Sequence, residues 1–245
     1  MKRRIALLLT VLMTFTITAC GNETEVSSES ESVPSETSSE QVDEVSDATV
    51  SDEAVSDEAD GSNMLVAYFS YAENAALPDG VDASSTASIQ AWNGETTGNT
   101  GVVAAMIAEA TGADLFSIQT VEQYPDSYDA TIDQGQEEQG ADARPELATH
   151  VENLDDYAVI FLGFPNWWGD MPMAMYSFLD EVDLSGKTIV PFVTSGGSGF
   201  SNTISTIESM ESGATVQEGL SISGSSAVNA QDQVAEWLSG LGYIE

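Results

Sequence analysis

Three stretches carry residue types able to hold an anionic or planar ligand without any cationic side chain. The first is Thr97-Gly98-Asn99-Thr100, which directly precedes a helix predicted over residues 101–110. Hydroxyls and free backbone N–H groups at a helix N-terminus bind an anion through hydrogen bonds and the helix dipole. The other reading of Thr97 or Asn99 is a plain helix cap. The second stretch is Gly163-Phe164-Pro165-Asn166-Trp167-Trp168-Gly169-Asp170. Two adjacent tryptophans bracketed by Pro and Gly cannot both face a core, so one indole is presented outward, where it suits a flat ligand. Alternatively, one packs under the loop and the other meets a partner surface. The third is Thr194-Ser195-Gly196-Gly197-Ser198-Gly199. Consecutive glycines let the backbone approach a ligand closely and aim several N–H groups the same way, the alternative being a flexible turn.

Other chemistries are excluded by residue type. Ser198 has Gly196 two positions before it but Phe200 two after, so the glycine run is not a nucleophile elbow. His150 is the sole histidine and precedes the third predicted strand, which leaves a serine hydrolase without its late base and a metal site without two imidazoles. It reads as a surface or helix-end residue. No catalytic residue and no metal ligand set is assigned. The formal net charge is −36, from 41 acidic and five basic residues, and three of the bases are Lys2, Arg3 and Arg4. Only Arg144 and Lys187 remain after Cys20. A surface this acidic repels phosphate backbones and anionic headgroups, excluding nucleic acid and polybasic membrane binding as partners.

The elements that must position the three stretches alternate along residues 64–245. Apolar strand-like runs are predicted at Met64 to Phe69, Leu115 to Ile118, Tyr157 to Gly163, Thr188 to Thr194 and Leu220 to Ser223. Helices are predicted at Gly101 to Ala110, Met171 to Val182 and Val228 to Leu241, with a weaker one over Pro125 to Ala143 that Gly135 and Gly140 interrupt. Ala158-Val159-Ile160-Phe161-Leu162 is continuously apolar, as a parallel strand covered on both faces requires. The alternation argues a doubly wound α/β sheet, whose ligands bind beyond the carboxyl ends of the strands. All three stretches lie there. Pro191 predicts an irregularity in the fourth strand, and Tyr71 to Thr96 is an excursion read as a lid or an ornament.

The N-terminal 63 residues read as address and tether. Residues 1–20 have a basic start, an apolar stretch and the ending Ile17-Thr18-Ala19-Cys20, which resembles a bacterial lipobox and predicts a signal peptide cleaved before a lipidated Cys20. Lipidation would leave no thiol. Residues 21–63 form an acidic, Ser-rich linker with no base and no aromatic, and with a five-residue unit repeated from Val45 to Ala59. Such a composition cannot bury enough apolar surface to offset its ordering entropy. The expected localisation is extracytoplasmic, with membrane contact only through the lipid.

Five motifs in this order resemble the flavodoxin family: Ala67-Tyr68-Phe69-Ser70, Gly98-Asn99-Thr100, Tyr124-Pro125 followed by Arg144-Pro145, Gly163 to Gly169, and Pro191 to Gly199. The resemblance implies a flavodoxin-like five-stranded parallel sheet of order 2-1-3-4-5 with FMN at its edge. By carry-over, Ser70, Thr97, Gly98, Asn99 and Thr100 hold the phosphate. Pro165, Asn166, Trp167, Trp168 and Gly169 flank one side of the flavin ring, and Thr194, Ser195, Gly196, Gly197 and Ser198 line the other side or the ribityl chain. Arg144 is either part of that pattern or a structural salt-bridge partner. The implied chemistry is electron transfer in which the flavin reacts and the protein orients it, with negative surroundings and aromatic stacking lowering its potential. The leading expectation is a membrane-tethered FMN electron carrier serving a redox partner protein or a small-molecule acceptor. The alternatives are an FMN-dependent NAD(P)H:quinone-type oxidoreductase, disfavoured by the lack of bases, and a flavin-free binding module on the same fold.

Overall fold

The computed structural model describes residues 63–77 and 88–245. The expected leader with Cys20, the acidic linker through residue 62 and residues 78–87 of the excursion lie outside the described residues. In chain order the elements are β1 (Met64–Tyr68), α1 (Tyr71–Asn74), β2 (Ile89–Trp92), β3 (Glu95–Gly98), α2 (Asn99–Thr111), β4 (Asp114–Ser117) and α3 (Tyr128–Gly140). They continue with β5 (Val159–Pro165), α4 (Met173–Glu181), β6 (Thr188–Ser195), α5 (Thr203–Met210), β7 (Thr215–Val216), β8 (Leu220–Ser223) and α6 (Gln231–Leu241). Among the described residues no helix is long and apolar enough to cross a membrane.

The main sheet is parallel throughout, in the order β4-β1-β5-β6, with β7 and β8 both paired to β6. Counting the five expected strands in chain order, this is the 2-1-3-4-5 arrangement. Both faces are covered, which explains the continuous apolar runs. Along β1, Leu65 and Ala67 join the core beneath α4, with Met175, Phe178 and Leu179. Val66 and Tyr68 face the opposite way, into the core of α2 and α6, with Val103, Ile107, Val234 and Leu238.

Pro191 does not interrupt β6, whose eight residues are continuous; the irregularity falls on its neighbour. The carbonyls of Lys187 and Ile189 accept from the N–H groups of Thr215 and Gln217, so alternate residues of β6, Pro191 included, face the fifth strand position. Pro191 has no N–H to offer there, and that position is split into β7 and β8. Gly219, in the gap, lies so close that a Cβ on it would stand 2.8 Å from the Pro191 carbonyl oxygen.

The described part of the excursion forms α1 and a hairpin of β2 and β3, whose strands are joined at Asn93-Gly94 with φ of 51° and 87°. That is the backbone of a two-residue primed turn, for which Asn-Gly is the strongest sequence signal. The hairpin ends at Gly98, the residue that opens α2. At the other end of α2, Gly112 adopts φ 73° and donates its N–H to the Ala108 carbonyl, as the helix stop requires.

Candidate functional site

The loops at the carboxyl ends of β1, β5 and β6 meet beside the start of α2. Ser70, two residues beyond the end of β1 and immediately before α1, is 1% exposed, and its Oγ has no hydrogen-bond partner among the described residues. It faces the N-terminus of α2 closely enough that a Cβ on Gly98 would stand 2.2 Å from Ser70 Oγ and 2.8 Å from the Ser88 carbonyl oxygen. Only glycine fits at that position. Asn99 accepts from Gln90 Nε2 at 2.7 Å, and its backbone N–H donates to the Ser88 carbonyl at 3.3 Å. Thr100 and Thr194 share a buried hydroxyl–hydroxyl bond of 2.8 Å, joining the α2 start to the end of β6. A thirteen-residue helix therefore begins over a buried hydroxyl that lacks a partner.

Thr97 goes elsewhere. Successive strand residues face opposite sides, so while Gly98 meets Ser70, the Thr97 hydroxyl donates to Glu73 Oε1 at 2.5 Å. Tyr68 and Ser117 also donate to this carboxylate. Burial, and then the Glu73 charge, push the Tyr68 phenol far above its ordinary range, so it remains a donor.

The loop after β5 is built by Asn166. Its N–H donates to the Thr194 carbonyl at 2.8 Å, its Nδ2 donates to the Gly199 carbonyl at 2.9 Å and Ser201 Oγ at 3.0 Å, and its Oδ1 accepts from Gly169 N–H at 3.0 Å. Trp167 and Asp170 exchange backbone bonds of 2.8 and 3.0 Å around a tight turn in which Trp168 and Gly169 have φ of 51° and 88°. Left-handed backbone is costly for tryptophan and is held here by those bonds. The two indoles are treated differently. Trp167 packs edge-on against Phe69 and Tyr124, at 5.6 and 5.5 Å between centroids, whereas Trp168 is 44% exposed.

The glycine run after β6 closes on its own serine, because Gly197 and Gly199 donate their N–H groups to Ser195 Oγ at 3.2 and 3.0 Å. Ser195 and Thr194 are buried, while Gly196, Gly197 and Ser198 are exposed.

Asn166, Trp167, Trp168 and Gly196 come together along a cleft of about 270 Å³. Its remaining lining is Tyr71, Ser88, Tyr128, Thr131 and Ile132, so no charged residue among the described residues lines it. Sequence reasoning passed over these five. Three belong to α3, the helix with the weakest propensity, and Tyr71 and Ser88 belong to the excursion. Tyr128, 67% exposed at the first position of α3, lines the cleft together with the exposed Trp168. Pro165 ends β5 in register with Thr194, behind the cleft wall.

The remaining bases are committed. Arg144 pairs with Asp180 at 2.5 Å and Asp142 at 2.8 Å and stacks over the Tyr176 ring, and Lys187 donates to the Leu154 and Tyr157 carbonyls. His150 pairs with Glu181 at 2.5 Å, away from the cleft. Among the described residues no group of three or more His, Cys, Asp and Glu is arranged to hold a metal.

A family model for flavodoxin matches residues 91–241. Among solved structures, the chain is similar to a candidate flavoprotein from Bacteroides eggerthii, at 25% identity and TM-score 0.56 over 74% of this chain and 98% of that one. A second, from Bacteroides uniformis, gives 26% identity and TM-score 0.55 over 74% and 99%. A flavoprotein in complex with FMN from Lactobacillus acidophilus has 20% identity and TM-score 0.48 over 70% and 99%. No curated protein matches the chain.

Proposed function

Because the chain belongs to the flavodoxin family, whose cofactor is FMN, we propose that FMN lies across the carboxyl edge of the sheet, phosphate at the start of α2 and ring in the cleft. The protein then serves as an electron-transfer flavoprotein. The observation that carries the assignment is Ser70. A fully buried hydroxyl without a partner costs about 1–3 kcal/mol, and this one faces Gly98 at the N-terminus of α2, where the helix dipole favours an anion. The cradle needs no lysine or arginine, which suits a chain whose two remaining bases are engaged elsewhere.

The residues fit the cofactor's two ends. Ser70, Gly98, Asn99 and Thr100 would hold the phosphate; the Thr100–Thr194 bond fixes the start of α2 against β6. Trp168, Tyr128 and Gly196 would bound the ring, with Trp167 held rigid behind Trp168 by its contacts to Phe69 and Tyr124. Asn166 fixes the distance between the loops after β5 and β6. When bound, FMN supplies the redox chemistry, and the protein supplies orientation, partial exclusion of water and an aromatic cleft.

The same proposal places the domain outside the cell membrane, tethered through a lipid on Cys20 and the acidic linker, where it exchanges electrons with a partner protein or a small acceptor. Metabolic labelling with a fatty acid tests the anchor: wild type incorporates label and C20A does not. The phosphate assignment is tested by S70A, which should weaken FMN binding by roughly tenfold while leaving riboflavin binding unchanged. Equal loss for both ligands would remove Ser70 from the phosphate site.

A further inference from the structure

Among the described residues Glu73 is the carboxylate that ties the excursion to the sheet, and the partners of its side chain are all hydroxyls. Tyr68 Oη reaches both of its oxygens, at 2.9 and 2.8 Å; Thr97 Oγ1 donates to Oε1 at 2.5 Å, and Ser117 Oγ donates to Oε2. These donors come from β1, β3 and β4, so a single side chain in α1 gathers three strands. Gly101 keeps the space open. A Cβ there would stand 2.0 Å from Thr97 Oγ1 and 2.7 Å from Glu73 Oε1, although alanine is the better helix former for the first turn of α2. The cluster contains no cation. A negative charge so near the start of α2 disfavours an anion there, so its presence calls for a compensating role.

We propose that Glu73 is a positioning residue for the phosphate cradle: by clamping Thr97 it fixes the last residue before Gly98 and so sets the direction in which α2 starts. The inference rests on the FMN reading above. It assigns the Thr97 hydroxyl to the clamp and leaves phosphate contact to Ser70 and the backbone at Gly98 and Thr100. Tyr68, held protonated by burial and by Glu73 itself, and Ser117 hold the carboxylate from the opposite side, so the clamp is anchored to the sheet and not merely to the hairpin.

The test is a double-mutant cycle on the full chain with E73A, T97V and the double variant, reading the ratio of FMN to riboflavin affinity by fluorescence quenching, together with amide exchange at residues 98–101 in flavin-free protein. T97V is nearly isosteric and keeps the carboxylate, so it carries the test if E73A does not fold. Each single variant should lower the ratio on the order of tenfold, the double variant no further than the larger single effect, and exchange at 98–101 should quicken by a similar factor. A ratio that rises in E73A would show that Glu73 only repels phosphate, and multiplicative losses would make Thr97 a direct ligand; either overturns the clamp. If wild type does not favour FMN over riboflavin, the phosphate reading fails instead. The exchange measurement then decides the clamp alone, and unchanged rates at 98–101 reject it.

Discussion

A Cβ on Gly135 would stand 2.8 Å from Cζ3 and 2.9 Å from Cη2 of the Trp168 indole. The glycine that weakens α3 as a helix is thus the one that lets α3 pass beneath the exposed tryptophan. The variant G135A sets the two effects against each other. Alanine gains about 1 kcal/mol of helix propensity, while its methyl group displaces an indole that is free to move on its solvent side. The melting temperature should change little. Flavin affinity should fall about fivefold, the loss of roughly 1 kcal/mol of ring contact, measured by flavin quenching.

Asn166 braces the ring side of the cleft, as Ser70 serves the phosphate side. N166A removes the bonds to Gly169, Gly199 and Ser201 that lock the loops after β5 and β6 together. FMN and riboflavin should weaken by the same factor, roughly tenfold, because only the shared ring is affected. A loss confined to FMN, seen in parallel titrations, would place Asn166 at the phosphate instead.

Gly163 lies in register with Phe192 on β6, and a Cβ on it would stand 2.0–2.6 Å from three atoms of the Phe192 ring. Both residues are buried in the middle of the sheet, so neither can yield into solvent. G163A should cost at least about 3 kcal/mol, the upper end of overpacking penalties, readable as a large fall in the denaturant midpoint. The double variant G163A/F192L should recover much of it.

The strands and α2 were legible because their apolar runs and the Gly112 stop are local signals; their alternation pointed to a doubly wound sheet, and the strand order came with the resemblance to the flavodoxin family. The helix α5, over Thr203–Met210, was not: its Ser- and Thr-rich sequence has little propensity, and only Thr203 and Ile207 are buried. The hairpin was overlooked although Asn93-Gly94 announces it. Of the cleft, the loops after β5 and β6 could be read from Trp, Asn and Gly, but Tyr128, Thr131 and Ile132 depend on where α3 docks, which contacts distant in sequence fix, the Gly135–Trp168 approach and the Tyr124–Glu138 hydrogen bond among them. The role of Glu73 was hidden for a similar reason, since its partners lie 5, 24 and 44 residues away along the chain.

Glu211 offers a test of the electrostatics independent of flavin. It is 7% exposed; burial first, and then Asp183 and Asp180, raise its pKa above the ordinary glutamate value, against a backbone hydrogen bond at Leu184 that lowers it. A carboxyl whose folded pKa is raised contributes stability below its unfolded value of about 4.3 and loses it as pH climbs through the folded value. E211Q should therefore melt higher than wild type at pH 7, by roughly 2–4 °C for each kcal/mol of relieved strain. The difference should close as pH falls toward about 4, as followed by thermal melts across that range.

The most direct test of the central claim is a quenching titration of the purified chain with FMN and with riboflavin. A buried, partnerless hydroxyl at the start of α2 and a neutral aromatic cleft beside it predict saturable quenching by FMN, with riboflavin weaker by at least about a hundredfold, the equivalent of two or more charge-assisted hydrogen bonds. Equal affinity for the two would contradict the phosphate cradle, and no quenching by either at micromolar concentration would contradict flavin binding itself.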